Sequence, residues 1–179
     1  MPSLSMLIKP ASGLCNMRCR YCFYADVAEH REVPSYGVMK SGTAEALVKR
    51  AFEYATGAVT FAFQGGEPTL AGTDFYRDFI CFVNRYNTKI PVSYAMQTNA
   101  YHFPEGLLEL LRDNRFLLGV SLDGTAALHD MNRVDATGDG TFKRVSENIK
   151  KLDEYKIDYN ILTVLTESNA KNIGKIYSF

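Results

Sequence analysis

A chain of 179 residues that is 46% hydrophobic is long enough to bury one core and too apolar to remain disordered. Its 20 basic and 20 acidic residues cancel, and no basic run of the kind that grips nucleic acid is present. No apolar stretch reaches the roughly 18 to 20 residues that cross a bilayer, and Met1-Pro2-Ser3-Leu4-Ser5 shows no signal-peptide pattern. The expectation is a soluble cytoplasmic domain whose partners are neither nucleic acid nor membrane.

In chain order, residues 5–10 read as a first strand, and the polar segment 26–40, with Pro34 and Gly37, argues against regular structure. A helix opens with Ser41 or Thr43 as N-cap, and Ala46, Leu47, Ala51 and Tyr54 recur at helical spacing until Gly57. The β-branched and aromatic run 59–63 is a second strand. Then come a helix over 74–86, a strand over 92–96, a helix over 105–114 with Pro104 near its first turn, and a strand over 116–120. A helix over 141–155, a fifth strand over 158–165 and the start of a helix over 169–179 complete the pattern. Such alternation implies an α/β fold of parallel β-α units with right-handed crossovers, wound as an open sheet or curled into a barrel. The chain stops in mid-helix with no capping glycine, as a fragment would.

Three cysteines, Cys15, Cys19 and Cys22, are spaced C-x3-C-x2-C directly after the first strand, so their thiolates can converge within one loop. Thiolates favour iron-sulfur clusters or zinc, and either is usually closed by four protein ligands. Cys81 is the only other cysteine, and it falls inside the apolar helical pattern 75–83, where a free cysteine is expected in the core. Three ligands and one open position remain. A 4Fe-4S cube held this way exposes an iron that a molecule with an amine and a carboxylate can chelate. Half of a zinc site, completed by a partner, or a disulfide loop with an odd cysteine are the plainer alternatives.

Other polar groups fall at strand ends. Gly65, Gly66 and Glu67 follow the second strand, Gln97-Thr98-Asn99 close the third, and Ser121-Leu122-Asp123-Gly124 close the fourth. In a barrel of parallel strands these ends share one mouth, where active sites are built. Each alone is also ordinary turn chemistry, with Glu67 in solvent. Arg133 offers a planar fork of donors suited to a carboxylate, but without further context it reads as a surface arginine. His129 lies in the connection after the fourth strand, and a loop histidine is expected only to make a hydrogen bond.

The cysteine spacing, with the aromatic Tyr21 before the last cysteine, resembles the signature of the radical S-adenosylmethionine enzymes. That resemblance implies a partial (β/α)6 TIM-like barrel over residues 1–179, truncated after about five strands. It also implies a 4Fe-4S cluster on Cys15, Cys19 and Cys22, with S-adenosyl-L-methionine on its open iron as the source of a 5'-deoxyadenosyl radical. The Gly65-Gly66-Glu67-Pro68 element is similar to the family's GGEP element, which places Gly65, Gly66 and Glu67 at the cofactor's amino group. Ser121 is implied at its ribose or methionine part, Arg133 at its carboxylate, and Tyr21 among the cofactor-binding residues. More closely, Leu7-Ile8-Lys9-Pro10, Cys22-Phe23-Tyr24, Ser35-Tyr36-Gly37, the run from Phe61 to Gly72 and Gln97-Thr98-Asn99 resemble the anaerobic sulfatase-maturating enzymes. These oxidise a cysteine or serine of a sulfatase to Cα-formylglycine.

The closer resemblance implies Tyr24 and Gln64 on the substrate side, a sulfatase polypeptide as substrate, and an external electron donor of flavodoxin or ferredoxin type. It also implies a C-terminal auxiliary-cluster region and a general base beyond these residues. A related radical enzyme that forms thioethers in a small peptide would share every motif. A non-catalytic iron-sulfur carrier or zinc module would leave the strand-end polar residues unexplained.

Overall fold

The computed structural model describes residues 1–87 and 89–179, with Glu29 described by its backbone alone. Five parallel strands, β1 (Leu4–Ile8), β2 (Val59–Phe63), β3 (Val92–Thr98), β4 (Leu117–Ser121) and β5 (Tyr159–Leu162), pair in strictly sequential order. An open doubly wound sheet reverses its order at a switch point, whereas this sheet does not, so every crossover returns on the same side. The result is a partial TIM-like barrel with helices on one face and a bare inner face on the other.

Strand alternation explains which side chains go where. Val59, Phe61 and Phe63 of β2, Met96 of β3 and Leu118 and Val120 of β4 point to the helices and are buried. There Phe61 and Phe63 pack edge-to-face on Phe79, and Tyr94 stacks on Phe116 at 4.8 Å between ring centroids. The opposite positions on β2, β3 and β4 include the small residues Ala62, Ala95 and Gly119. A Cβ at Gly119 would come within 2.2 Å of Gln97 Oε1, so the absence of a side chain there gives the glutamine its path toward Ser121.

The helices are α1 (Phe23–Glu29), α2 (Ser41–Tyr54), α3 (Thr73–Tyr86), α4 (Leu107–Asp113), α5 (Ala126–Asn132), α6 (Phe142–Tyr155), α7 (Glu167–Ala170) and α8 (Ile173–Tyr177). Several differ from the sequence expectation. The segment 26–40 is irregular only after α1, which starts directly from Cys22 and is too short to show a periodicity. The N-cap of α2 is Lys40, with no side-chain cap. Ser41 is already helical and its hydroxyl turns to Asp78 instead. The helix expected from 105 begins at Leu107, because Gly106 adopts a left-handed conformation. The last helix is two short pieces, broken where Asn172 leaves helical geometry. The connection holding His129 is helix α5. Cys81 is exposed, not core: α3 buries Phe75, Tyr76, Phe79, Phe82 and Val83, and Cys81 lies off that stripe. Among the described residues no helix is long and apolar enough to cross a membrane.

Candidate active site

The C-terminal ends of the strands enclose one pocket. Cys15, Cys19 and Cys22 line it together with Tyr21, Tyr24 and Gln64. Gly65, Gly66, Ser121 and Arg133 line it as well, and Gln97, Thr98 and Asn99 close the wall between them. Of the site residues singled out from the sequence, Glu67 alone is not in the lining.

The cysteine loop is fixed by close packing against the turn after β2. Glu67 N–H donates to Leu14 O at 2.7 Å, and Gln64 N–H donates to Ile8 O at 2.9 Å. Gly66 sits at φ +54°, and a Cβ there would lie 2.1 Å from Leu14 O, so only glycine permits this approach. Glu67 is 1% exposed, which excludes a solvent-facing carboxylate. Its Oε1 accepts from Thr98 Oγ1 at 2.7 Å and Thr69 N–H at 3.1 Å, and its Oε2 accepts from Asn99 N–H at 2.7 Å. Burial raises its pKa, and these hydrogen bonds only partly offset that.

On the far side of the pocket stands a second buried carboxylate. Asp123, 0% exposed, accepts from Arg133 Nε at 2.9 Å and Arg133 Nη2 at 3.2 Å, from Val164 N–H at 3.0 Å, and from the Tyr21 hydroxyl. Arg133 is therefore no surface arginine: it is 5% exposed, and its guanidinium carbon lies 5.4 Å from the Tyr21 ring centroid. His129 fills the space behind this pair. Its Nδ1 accepts from Asp123 N–H at 3.3 Å, so Nε2 carries the proton and donates to Thr141 Oγ1 at 3.0 Å, which in turn donates to Arg133 O at 2.9 Å. Burial, reinforced by the neighbouring guanidinium, lowers the His129 pKa to about 4 and keeps the ring neutral. The expected hydrogen-bonding role is real, though on a helix and with both ring nitrogens engaged.

Asp123 is read from the sequence only as part of a polar strand end, with no role of its own. Its signal was a carboxylate directly before Gly124, two positions past a strand end, which also describes many solvated turns. Nothing in the sequence shows that Arg133, Tyr21 and Val164 return to it.

The donor set suits a thiolate-bound inorganic group. Cys15 Sγ receives Met17 N–H at 3.5 Å and Asn99 Nδ2 at 3.6 Å, contacts that favour a sulfur bearing negative charge. Burial nevertheless pushes the Cys15 thiol up to about 11 and raises that of Cys19, so metal charge is what would hold them as thiolates. Among the described residues no three His, Cys, Asp or Glu side chains are drawn together as ligands of a single ion. The three thiols do all border the same pocket.

A parallel partial barrel with a three-cysteine loop at its mouth defines a class, and the family comparison agrees. The family model described as the radical SAM superfamily matches residues 10–179, and the chain belongs to that superfamily. More particularly, it is 53% identical over 180 residues to the cysteine-type anaerobic sulfatase-maturating enzyme of Clostridium novyi (strain NT), covering 100% of this chain and 48% of that one. It is 32% identical to the serine-type anaerobic sulfatase-maturating enzyme of Klebsiella aerogenes, over 96% of this chain and 42% of that one. The solved structure of native anSMEcpe with bound AdoMet and Cp18Cys peptide matches with a TM-score of 0.92 at 39% identity, covering 99% of this chain and 47% of that chain. The chain thus spans about half the length of the curated relatives it matches.

Proposed function

We propose that this chain is the cofactor-binding and radical-generating part of a cytoplasmic sulfatase-maturating enzyme that oxidises a cysteine side chain of a sulfatase to Cα-formylglycine. The observation that carries the proposal is the pocket itself: three thiols, a glycine turn that brings backbone to its edge, a buried arginine, and Tyr24 with Gln64 all face one space. The higher identity to the cysteine-type relative, 53% against 32% for the serine-type one, favours cysteine as the target.

Cys15, Cys19 and Cys22 would hold a 4Fe-4S cluster, leaving its fourth iron for the amine and carboxylate of S-adenosylmethionine. When bound, cluster and cofactor supply one-electron chemistry that removes a hydrogen atom from a side-chain carbon, with an external flavodoxin or ferredoxin as electron source. Gly65 and Gly66 give the cofactor's ammonium a backbone edge, and the Glu67 charge behind them attracts it without needing to touch it. Ser121 Oγ accepts from Gln97 Nε2 at 3.1 Å, so its own O–H is oriented to donate into the pocket toward the ribose or methionine part. Tyr21, whose hydroxyl is committed to Asp123, contributes its ring to the wall. Tyr24 accepts from Gln64 Nε2 at 3.4 Å while Lys9 Nζ lies 4.5 Å from its ring centroid, which holds the phenol in place as a donor to peptide.

The experiment is anaerobic reconstitution followed by S-adenosylmethionine, a reductant and a synthetic sulfatase peptide carrying the target cysteine. Formation of 5'-deoxyadenosine with conversion of the CH2SH group to CHO is expected from the complete polypeptide. Loss of only two hydrogens from the peptide would instead mark a thioether-forming maturase. Absence of 5'-deoxyadenosine would return the chain to a cluster or zinc module.

A further inference from the structure

Arg133 reaches the pocket from behind, and what fixes it there is the carboxylate of Asp123. Two of its nitrogens, Nε and Nη2, are bound side-on to Asp123 at 2.9 and 3.2 Å, and among the described residues Nη1 makes no hydrogen bond to protein. A guanidinium has two edges on which a carboxylate can form a bidentate pair, one through Nε and Nη2 and the other through Nη1 and Nη2. The first is taken. The same carboxylate also accepts from Tyr21 in the cysteine loop and from Val164 N–H in the segment after β5.

We propose that Asp123 is a positioning residue: by holding Arg133 side-on and anchoring it to Tyr21 and Val164, it aims the remaining guanidinium edge at a ligand carboxylate beside the three cysteines. The inference rests on the cofactor reading above. Backing comes from the His129 ring, which takes the Asp123 N–H and, through Thr141, the Arg133 carbonyl, so the main chain at both residues is tied to one buried side chain. An arginine released from Asp123 would keep its charge but lose its direction, and a ligand without a carboxylate would not register the difference.

That distinction sets the test. Dissociation constants for S-adenosylmethionine and for its decarboxylated analogue are measured anaerobically on the cluster-loaded protein, with iron content assayed in parallel. Asp123→Asn should weaken S-adenosylmethionine by on the order of tenfold, as expected for a misdirected charged hydrogen bond, and leave the decarboxylated analogue within about twofold. Iron content should not change. In an Arg133→Ala background the same substitution should add nothing, because the two residues act as one unit. Asp123→Glu keeps the charge but displaces it by a methylene, and it should show the same selectivity at smaller size, which decides the matter if the asparagine variant does not fold. Equal weakening of both ligands, or of neither, overturns the proposal. If the wild-type protein binds neither ligand, the cofactor reading itself fails and this inference falls with it.

Discussion

The cysteine loop is gripped at two ends by two different kinds of bond. Its first half, Leu14 to Asn16, is held by the turn after β2 and the end of β3: Glu67 N–H on Leu14 O, and Asn99 Nδ2 on both Cys15 Sγ and Asn16 Oδ1. The carboxylate in that half, Glu67, meets only neutral donors among the described residues. The second half, Arg18 to Tyr21, is held by the end of α5 and the strap after it, with Arg20 N–H on Asn132 O at 2.9 Å and Arg18 N–H on Val134 O at 2.7 Å. There the carboxylate, Asp123, meets a guanidinium. Both buried carboxylates carry a desolvation cost, but the side-on pair with Asp123 uses only Nε and Nη2 of Arg133 and leaves the guanidinium a second edge. On the proposed function the first half acts through backbone, as a scaffold at the ammonium end of the cofactor, and the second presents a side chain, as a receptor for its carboxylate.

The largest effect expected is at the loop between the two grips. Cys15→Ala, Cys19→Ala and Cys22→Ala should each abolish retention of the cluster, read as iron and sulfide per chain after anaerobic reconstitution. Cys81→Ala should retain it and stay within about 0.5 kcal/mol of wild-type stability, as an exposed helix position does. Loss of the cluster in the Cys81 variant would break the assignment.

Next in size is the scaffold half. Glu67→Ala leaves Thr98 Oγ1 and the Thr69 and Asn99 N–H groups without an acceptor in a buried site, at a cost of about 3 kcal/mol or more. Urea unfolding measures it. A variant as stable as wild type would show that the turn after β2 does not depend on this carboxylate. Gly66→Ala should cost roughly 2 kcal/mol, because a left-handed φ of +54° and the 2.1 Å approach to Leu14 O both resist a Cβ. The same variant should load less iron, since the loop must move away to accept the methyl group.

The contrast between the halves also explains what the sequence disclosed. The scaffold half is local in sequence terms: cysteine spacing, a glycine pair and polar strand ends are each readable where they stand, and Gly65, Gly66 and the three cysteines do meet in one pocket. All five strands were legible too, because β-branched and aromatic runs between turn residues leave a clear pattern. Return contacts tie both halves, Asn99 to Cys15 across 84 residues among them, but in the receptor half they also decide which residue is the carboxylate. Tyr21 and Asp123 are 102 residues apart, and no periodicity links them. Helices α1 and α5, seven residues each, fall below the length at which an amphipathic repeat can be seen. Cys81 was misplaced because it stands inside the apolar run Phe79-Ile80-Cys81-Phe82-Val83, although α3 is amphipathic and this position falls off its buried stripe.

The smallest effect expected concerns the receptor half and is read as a pH dependence. His129 has a folded pKa lowered to about 4 against an ordinary 6.5, so its contribution to stability is full above pH 6.5 and is lost as pH falls through that window toward 4. Between pH 8 and 5.5 this amounts to roughly 1 kcal/mol. Glu67 works in the opposite sense: its folded pKa is raised, so its favourable contribution is present at low pH and is lost as pH rises through the folded value. Wild-type protein reports only the sum of the two trends. His129→Gln keeps one donor and one acceptor near Thr141 and Asp123 but cannot titrate, while Glu67 is common to both proteins. Urea midpoints of the metal-free forms between pH 5.5 and 8 should therefore fall more steeply on acidification in wild type than in the variant, with the difference in slope belonging to His129. Parallel curves would mean that the ring accepts a proton without disturbing Asp123 and Arg133, and the receptor half would then be looser than its hydrogen bonds suggest.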